Sequence, residues 1–177
     1  MSEEIPLLGI EPSAILSFRD EYPRIVGEHL RNEAEALKSN SFTIEEFIAQ
    51  EFRDGRIDAA SFTSNLNHIK LHGHCHQKAL SEISDTVLAL SIPDNYHVEL
   101  IPSGCCGMAG SFGYEEEHYD VSRQVADLVL LPAISEDRMS KESVICAPGT
   151  SCRHQIKDLA NKTALHSVEI LFDALNN

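Results

Sequence analysis

At 177 residues, 42% hydrophobic and 24% charged, the chain is long enough to bury the core of one domain and has the composition of a soluble globular protein. It has no apolar run near the roughly 20 residues of a membrane-spanning helix. The acidic start MSEEIPLLGIEPS lacks the charged-then-apolar order of a signal peptide, so the expected location is cytoplasmic. A net charge of −14 with no Lys/Arg cluster makes nucleic acid and anionic membranes poor partners.

Residues 5–10 have the apolar character of a short buried strand. Glu11-Pro12-Ser13 leads into a helix from Ala14 that Pro23, lacking an N–H, is expected to break. A polar, helix-prone stretch covers 28–38, and Thr43 and Glu46 have capping-box spacing at the start of a helix reaching about residue 52. Residues 68–74 predict a strand ending at Cys75, followed by a helix over 77–90 with Leu80, Ile83, Val87 and Leu90 on one stripe. A strand over 97–101 runs into a glycine-spaced loop. The next helix is expected over 114–133, with Val121, Val125, Leu128 and Val129 facing the core. Residues 144–146 form a strand, Pro148-Gly149-Thr150-Ser151-Cys152 the loop after it, and helices over 152–160 and 168–175 close the chain.

Strand, turn and helix thus repeat four times, which predicts an α/β fold with a mostly parallel sheet flanked by helices. Sites in such sheets form at the carboxyl ends of the strands. Cys75, Cys105, Cys106 and Cys152 each follow a predicted strand, so the topology gathers four of the five cysteines at one rim, while Cys146 lies at a strand end and is a candidate for the core.

The loop Ser103-Gly104-Cys105-Cys106-Gly107-Met108-Ala109-Gly110-Ser111-Phe112-Gly113 carries the sharpest chemical signal. Neighbouring Cα atoms are about 3.8 Å apart, so vicinal thiols leave one loop together and can face one soft metal centre or two metals of one cluster. Five cysteines in a cytoplasmic chain argue against a disulfide framework. Metal binding, thiol redox chemistry and buried inert thiols remain. Thiolates favour zinc, copper(I) and iron–sulfur clusters. The separations, 30 residues from Cys75 to Cys105 and 46 from Cys106 to Cys152, match neither a zinc ribbon nor a ferredoxin run and imply ligands from separate strand-end loops. If the strand continues through them, His72, His74 and His76 share one face and Cys75 points the other way, which leaves His74 and His76 closest to the site as ligands or donors to sulfur. Arg153 is placed to lower a thiol pKa or to sit on the surface. The glycine spacing fits no phosphate-binding fingerprint and the acids Glu115-Glu116-Glu117 would repel phosphate, so nucleotide binding is rejected. An internal echo pairs residues 7–14 with 144–152: each has a strand, a Pro-containing turn with a Ser, then a helix, and Ala14 stands where Cys152 stands in the second copy.

The run Cys75…Cys105-Cys106-Gly107…Cys152 resembles the cysteine-rich CCG domain found in heterodisulfide reductase, in the iron–sulfur component of glycolate oxidase and in the C-terminal part of FAD-linked oxidoreductases of 2-hydroxy acids. The segments Glu11-Pro12-Ser13, His72-Gly73-His74-Cys75-His76-Gln77-Lys78, Gly104-Cys105-Cys106-Gly107-Met108 and Ala147-Pro148-Gly149-Thr150-Ser151-Cys152 look most like the last group. The resemblance implies one CCG-type domain over 1–177, cut from the C-terminal part of a longer polypeptide. It implies an iron–sulfur cluster, or zinc, held by Cys75, Cys105, Cys106 and Cys152. FAD is expected on the missing part, and the implied partners are flavin-containing and ferredoxin-like portions of the same protein or complex. Electrons would pass from a flavin reduced by a 2-hydroxy acid such as lactate, glycolate or 2-hydroxyglutarate, with no dehydrogenase activity in this chain alone. The chain departs from the pattern at Gly149, where the family often has the first Cys of a CxxC, and at Ala14, where it often has a Cys. Two other functions compete: a zinc-binding structural or docking domain without redox chemistry, and a thiol-redox protein, whose vicinal disulfide would be strained.

Overall fold

The computed structural model describes residues 5–135 and 143–176. Among the described residues six strands carry the fold: β1 (Leu7–Gly9), β2 (Ser41–Thr43), β3 (Asn67–Leu71), β4 (Tyr96–Leu100), β5 (Val144–Cys146) and β6 (Ala164–Leu165). They form two parallel sheets, a two-stranded β1-β2 and a four-stranded β4-β3-β5-β6. The helices are α1 (Pro12–Ile15), α2 (Glu21–Ile25), α3 (Arg31–Ser39), α4 (Ile44–Arg53), α5 (Cys75–Leu80), α6 (Ile83–Leu90), α7 (Tyr119–Leu128), α8 (Leu130–Ser135), α9 (Thr150–Ala160) and α10 (Ser167–Asp173), with short 3-10 turns between some of them. The expected α/β architecture with a mostly parallel sheet is what forms.

Strand alternation sorts the core into two sides. Along β5, Ile145 and Ala147 pack with Ala126, Leu130, Leu131 and Ile134 of α7–α8 and Ile156 of α9. Cys146 between them points the other way and joins Ile69 and Leu71 of β3, Ala89 and Leu90 of α6, and Ile170 and Leu171 of α10. Parallel strands buried on both faces are the reason these segments read as continuous apolar runs. The chain goes from β3 to its neighbour β4, then crosses to the opposite side of β3 to form β5. That reversal opens a crevice beyond the carboxyl ends of β3 and β5, where α/β proteins place their sites.

Several boundaries differ from the sequence expectations. The Thr43 capping box forms: Thr43 Oγ1 accepts the Glu46 N–H at 3.3 Å and Glu46 Oε2 accepts the Thr43 N–H at 2.8 Å. Pro23 ends nothing itself. It sits in the first turn of α2, where an N–H has no intrahelical partner. The helix expected over 77–90 is two, parted at Ser81–Glu82, and that expected over 114–133 is 3-10 turns followed by α7 and α8, parted at Val129. Ser122, Ala126 and Leu130 make the buried stripe there, while Val121 and Leu128 are 50% and 76% exposed and are not core residues. The two shortest additions, β2 and β6, are three and two residues long and carry no periodicity of their own.

Candidate metal centre

Four strand ends meet in register. The Leu71 C=O accepts the Ile101 N–H at 2.9 Å, the His72 N–H donates to the Cys146 C=O at 2.8 Å, and the Ala147 N–H donates to the Leu165 C=O at 2.9 Å. From this edge the chain delivers four cysteines. After β3, His74 caps α5, its Nδ1 accepting the His76 N–H at 3.2 Å, and Cys75 is the first residue of that helix. After β4 comes the loop with Cys105 and Cys106. After β5, Cys152 sits in the first turn of α9, where the positive end of an eleven-residue helix favours a thiolate.

The loop that carries the vicinal pair is tied from both sides. Gly107 has φ +98°, and a Cβ there would lie 2.1 Å from the Ser122 carbonyl oxygen, so only glycine fits. Its N–H donates to Cys105 Sγ at 3.3 Å. Gln155 of α9, buried, donates through Nε2 to the Cys106 C=O at 3.0 Å and to Ser122 Oγ at 2.9 Å. Lys78 of α5 donates through Nζ to the carbonyls of Ser103 and Gly104 at 2.5 and 2.6 Å. An ammonium therefore stands beside the loop, its pKa lowered by burial against the opposing pull of the four sulfurs.

The thiols form a chain of contacts. Hydrogen bonding from Cys106 and Cys75 pulls Cys105 far below the ordinary thiol value, with the N–H groups of Gly107 and Ala109 assisting. Cys106 also pulls Cys152 well below that value, against burial, with His72 and His74 adding to the effect. Cys75 and Cys106 are pushed up, each first by its neighbour Cys105. A bound cation would displace whatever protons these thiols keep. All five cysteines are free.

His72 lies elsewhere than strand alternation predicts. β3 ends at Leu71 rather than running to His74, so the pattern that would put His72, His74 and His76 on one face does not extend to them. His72 is fully buried, and one of its ring nitrogens lies with Cys106 Sγ and Cys152 Sγ in a group whose atoms are all within 4.8 Å of one another. His74, buried, and His76, half-buried, line the cleft onto which Cys75 and Cys106 open, as the sequence reading placed them; His74 Nε2 is also 3.9 Å from Glu11 Oε1 and His76 Nε2 3.7 Å from Glu21 Oε1. The sequence signal for this earlier stop is Gly73, a strand-weakening residue directly after His72. Cys146 takes no part: it is in the opposite core, and burial pushes its thiol up. Arg153 donates to the carbonyls of Ala147 and Pro148 at 2.8 and 2.7 Å, and its charge acts on Cys146.

The internal echo has a physical counterpart. The turn after β1 faces the turn after β5, and Glu11 Oε2 accepts the Thr150 N–H at 2.8 Å, which caps α9 from 139 residues away. Burial acts to raise the Glu11 pKa, and the Thr150 and Ser13 hydrogen bonds outweigh it to lower the value. Ser13 of the first turn and Ser151 of the second line a cleft of about 220 Å³ that opens onto Cys75 and Cys106. At Gly149 a Cβ would lie 2.2 Å from His74 Cδ2, so the imidazole occupies the space a side chain would need. His72, Cys106 and Cys152 form a compact soft donor group, and Cys105 and Cys75 are joined to it in series by hydrogen bonding; such donors could hold an iron–sulfur cluster or zinc and do not fit a hard cation.

No family model matches the chain, and no solved structure matches it. Curated relatives do. The chain is 28% identical over 184 residues to D-2-hydroxyglutarate dehydrogenase of Haemophilus influenzae and 28% identical over 172 residues to that of Escherichia coli K12, in each case over 97% of this chain and 16% of the relative. It is 21% identical over 175 residues to one of the subunits of anaerobic glycerol-3-phosphate dehydrogenase of Escherichia coli K12, over 97% of this chain and 41% of that subunit. The chain therefore spans about a sixth of the length of the first relatives it matches, and all three are dehydrogenases, or part of one, by name.

Proposed function

We propose that this chain is the iron–sulfur, electron-transfer domain of a flavin-linked oxidoreductase acting on a 2-hydroxy acid, with Cys75, Cys105, Cys106 and Cys152 as the sulfur ligands. The observation that carries the reading is the convergence of four thiols from three strand ends on one crevice, two of them already favoured as thiolates. A bound cluster supplies one-electron transfer, which lets a two-electron donor such as a reduced flavin be emptied in single steps. The residues of this chain hold the sulfurs in place: Gln155 and Lys78 fix the loop carrying Cys105 and Cys106, the α9 N-terminus and Glu11 fix Cys152, and His74 fixes the start of α5 at Cys75. The cleft beside Cys75 leaves one side of the site open to a partner. The relatives' names supply the substrate class, with 2-hydroxyglutarate the 2-hydroxy acid among them. FAD and a ferredoxin-like portion belong to the partner part in this reading, and the chain alone is expected to turn over no 2-hydroxy acid. Turnover by the purified chain would contradict it.

A second reading has a specific observation behind it: the compact set of His72, Cys106 and Cys152 is also one that zinc takes, with Cys75 or Cys105 as fourth ligand and a structural or docking role. Iron and acid-labile sulfide in protein purified without oxygen support the first reading, and stoichiometric zinc without colour supports the second.

A further inference from the structure

We infer that His72 is a nitrogen ligand of the metal centre, making it a mixed sulfur–imidazole site. The inference rests on the proposed function only in assuming that a soft metal or cluster occupies the crevice.

Four observations carry it. The His72 ring is fully buried, a costly place for an imidazole without partners. Ser103 Oγ lies 2.6 Å from Nδ1 and fixes the ring plane. The other nitrogen, Nε2, is buried and has no hydrogen-bond partner among the described residues. And a ring nitrogen lies within 4.8 Å of both Cys106 Sγ and Cys152 Sγ, a spread that the donors of one ion or one cluster corner show.

An imidazole with one nitrogen held by a hydroxyl and the other beside the cysteine sulfurs is the arrangement by which an outer partner sets the tautomer of a metal-bound histidine: with Nδ1–H donating to Ser103 Oγ, Nε2 would give up any proton it shares with Cys152 and take the metal. The polar neighbours are engaged elsewhere. His74 is turned to Glu11, Lys78 to the carbonyls of Ser103 and Gly104, and Gln155 to the Cys106 C=O and Ser122.

The test uses the whole chain in wild-type, His72→Ala, His72→Gln and Cys152→Ser forms, with cobalt(II) alone as one probe and reconstitution with iron and sulfide as the other. Circular dichroism and thermal melting restrict the comparison to variants that fold. Expected results are a nitrogen hyperfine coupling in the reduced, paramagnetic iron form of protein labelled with ¹⁵N-histidine, its loss in both His72 variants, and cobalt affinity at least ten-fold weaker in His72→Ala and partly restored by added imidazole. A wild-type centre with no nitrogen coupling, or unchanged cobalt affinity and spectrum in both His72 variants, overturns the inference. The two readings fail separately. Cobalt bound with nitrogen in a chain that assembles no iron–sulfur cluster keeps His72 as a ligand and removes the electron-transfer role. A cluster assembled on sulfur alone does the reverse.

Discussion

Cys152 and Cys146 are six residues apart, both buried, and on opposite faces of the same parallel sheet. Their thiols are driven in opposite directions. At Cys152 the Cys106 thiol, the imidazoles of His72 and His74 and the start of α9 all favour the thiolate, and they outweigh burial. At Cys146 burial dominates, Glu45 and Glu169 add like charge, and only Arg153 opposes them. Burial alone therefore says nothing about whether a cysteine is chemical or structural. What decides it is the set of donors and charges on its side of the sheet.

The largest expected difference between the two faces is in metal content. Cys152→Ser is expected to lower bound metal by more than ten-fold, and Cys146→Ser to leave it unchanged, both read by metal analysis of anaerobically purified protein. Equal losses in the two variants would remove the distinction. Next is the loop that presents Cys105 and Cys106. Gly107→Ala forces a Cβ to 2.1 Å from a carbonyl oxygen at a φ of +98°, and is expected to destabilise the fold by about 3 kcal/mol or more. A denaturant midpoint within error of wild type would contradict this.

A smaller effect tests the support of α5 and α4 behind the site. Arg19 donates to both Glu46 oxygens, Nη1 to Oε1 at 2.8 Å and Nη2 to Oε2 at 2.7 Å, and Ser81 donates to Oε1 at 2.7 Å. Burial acts to raise the Glu46 pKa, and these hydrogen bonds, with that from Thr43, outweigh it and lower the value below 4.5. A depressed carboxyl contributes stability that is complete above the ordinary value and lost as pH falls through the folded one. Glu46→Gln is therefore expected to cost about 1–2 kcal/mol at pH 7, and the gap to wild type narrows on acidification as the wild-type carboxylate is protonated. Thermal melts from pH 7 down to pH 3 check this: a constant difference between the two proteins over that range contradicts the assignment. The smallest effect is on the inert face, where Cys146→Ala removes one buried sulfur and is expected to cost about 1 kcal/mol, with no change in the spectrum of the loaded protein.

The same contrast shows what is legible in a linear chain. The four-fold repeat of strand and helix points to the α/β fold, and Cys75, Cys105, Cys106 and Cys152 reach one edge because their positions after apolar runs are local facts. Three residues of strand do not show which face Cys146 takes; the contacts of Ile145 and Ala147 with one side settle it. The place of His72 depends on strand length rather than residue type, and the strand ends where its backbone turns toward α5. Long-range ties such as Glu11 to Thr150 and Gln155 to Cys106 have no local signature, since they join segments 139 and 49 residues apart.

The most direct measurement is metal and acid-labile sulfide analysis, with an absorption spectrum, on protein purified without oxygen. The expected result is iron and sulfide together, with broad visible absorption that Cys152→Ser abolishes. One zinc per chain and a colourless solution would contradict the electron-transfer role and leave a zinc-stabilised domain in its place.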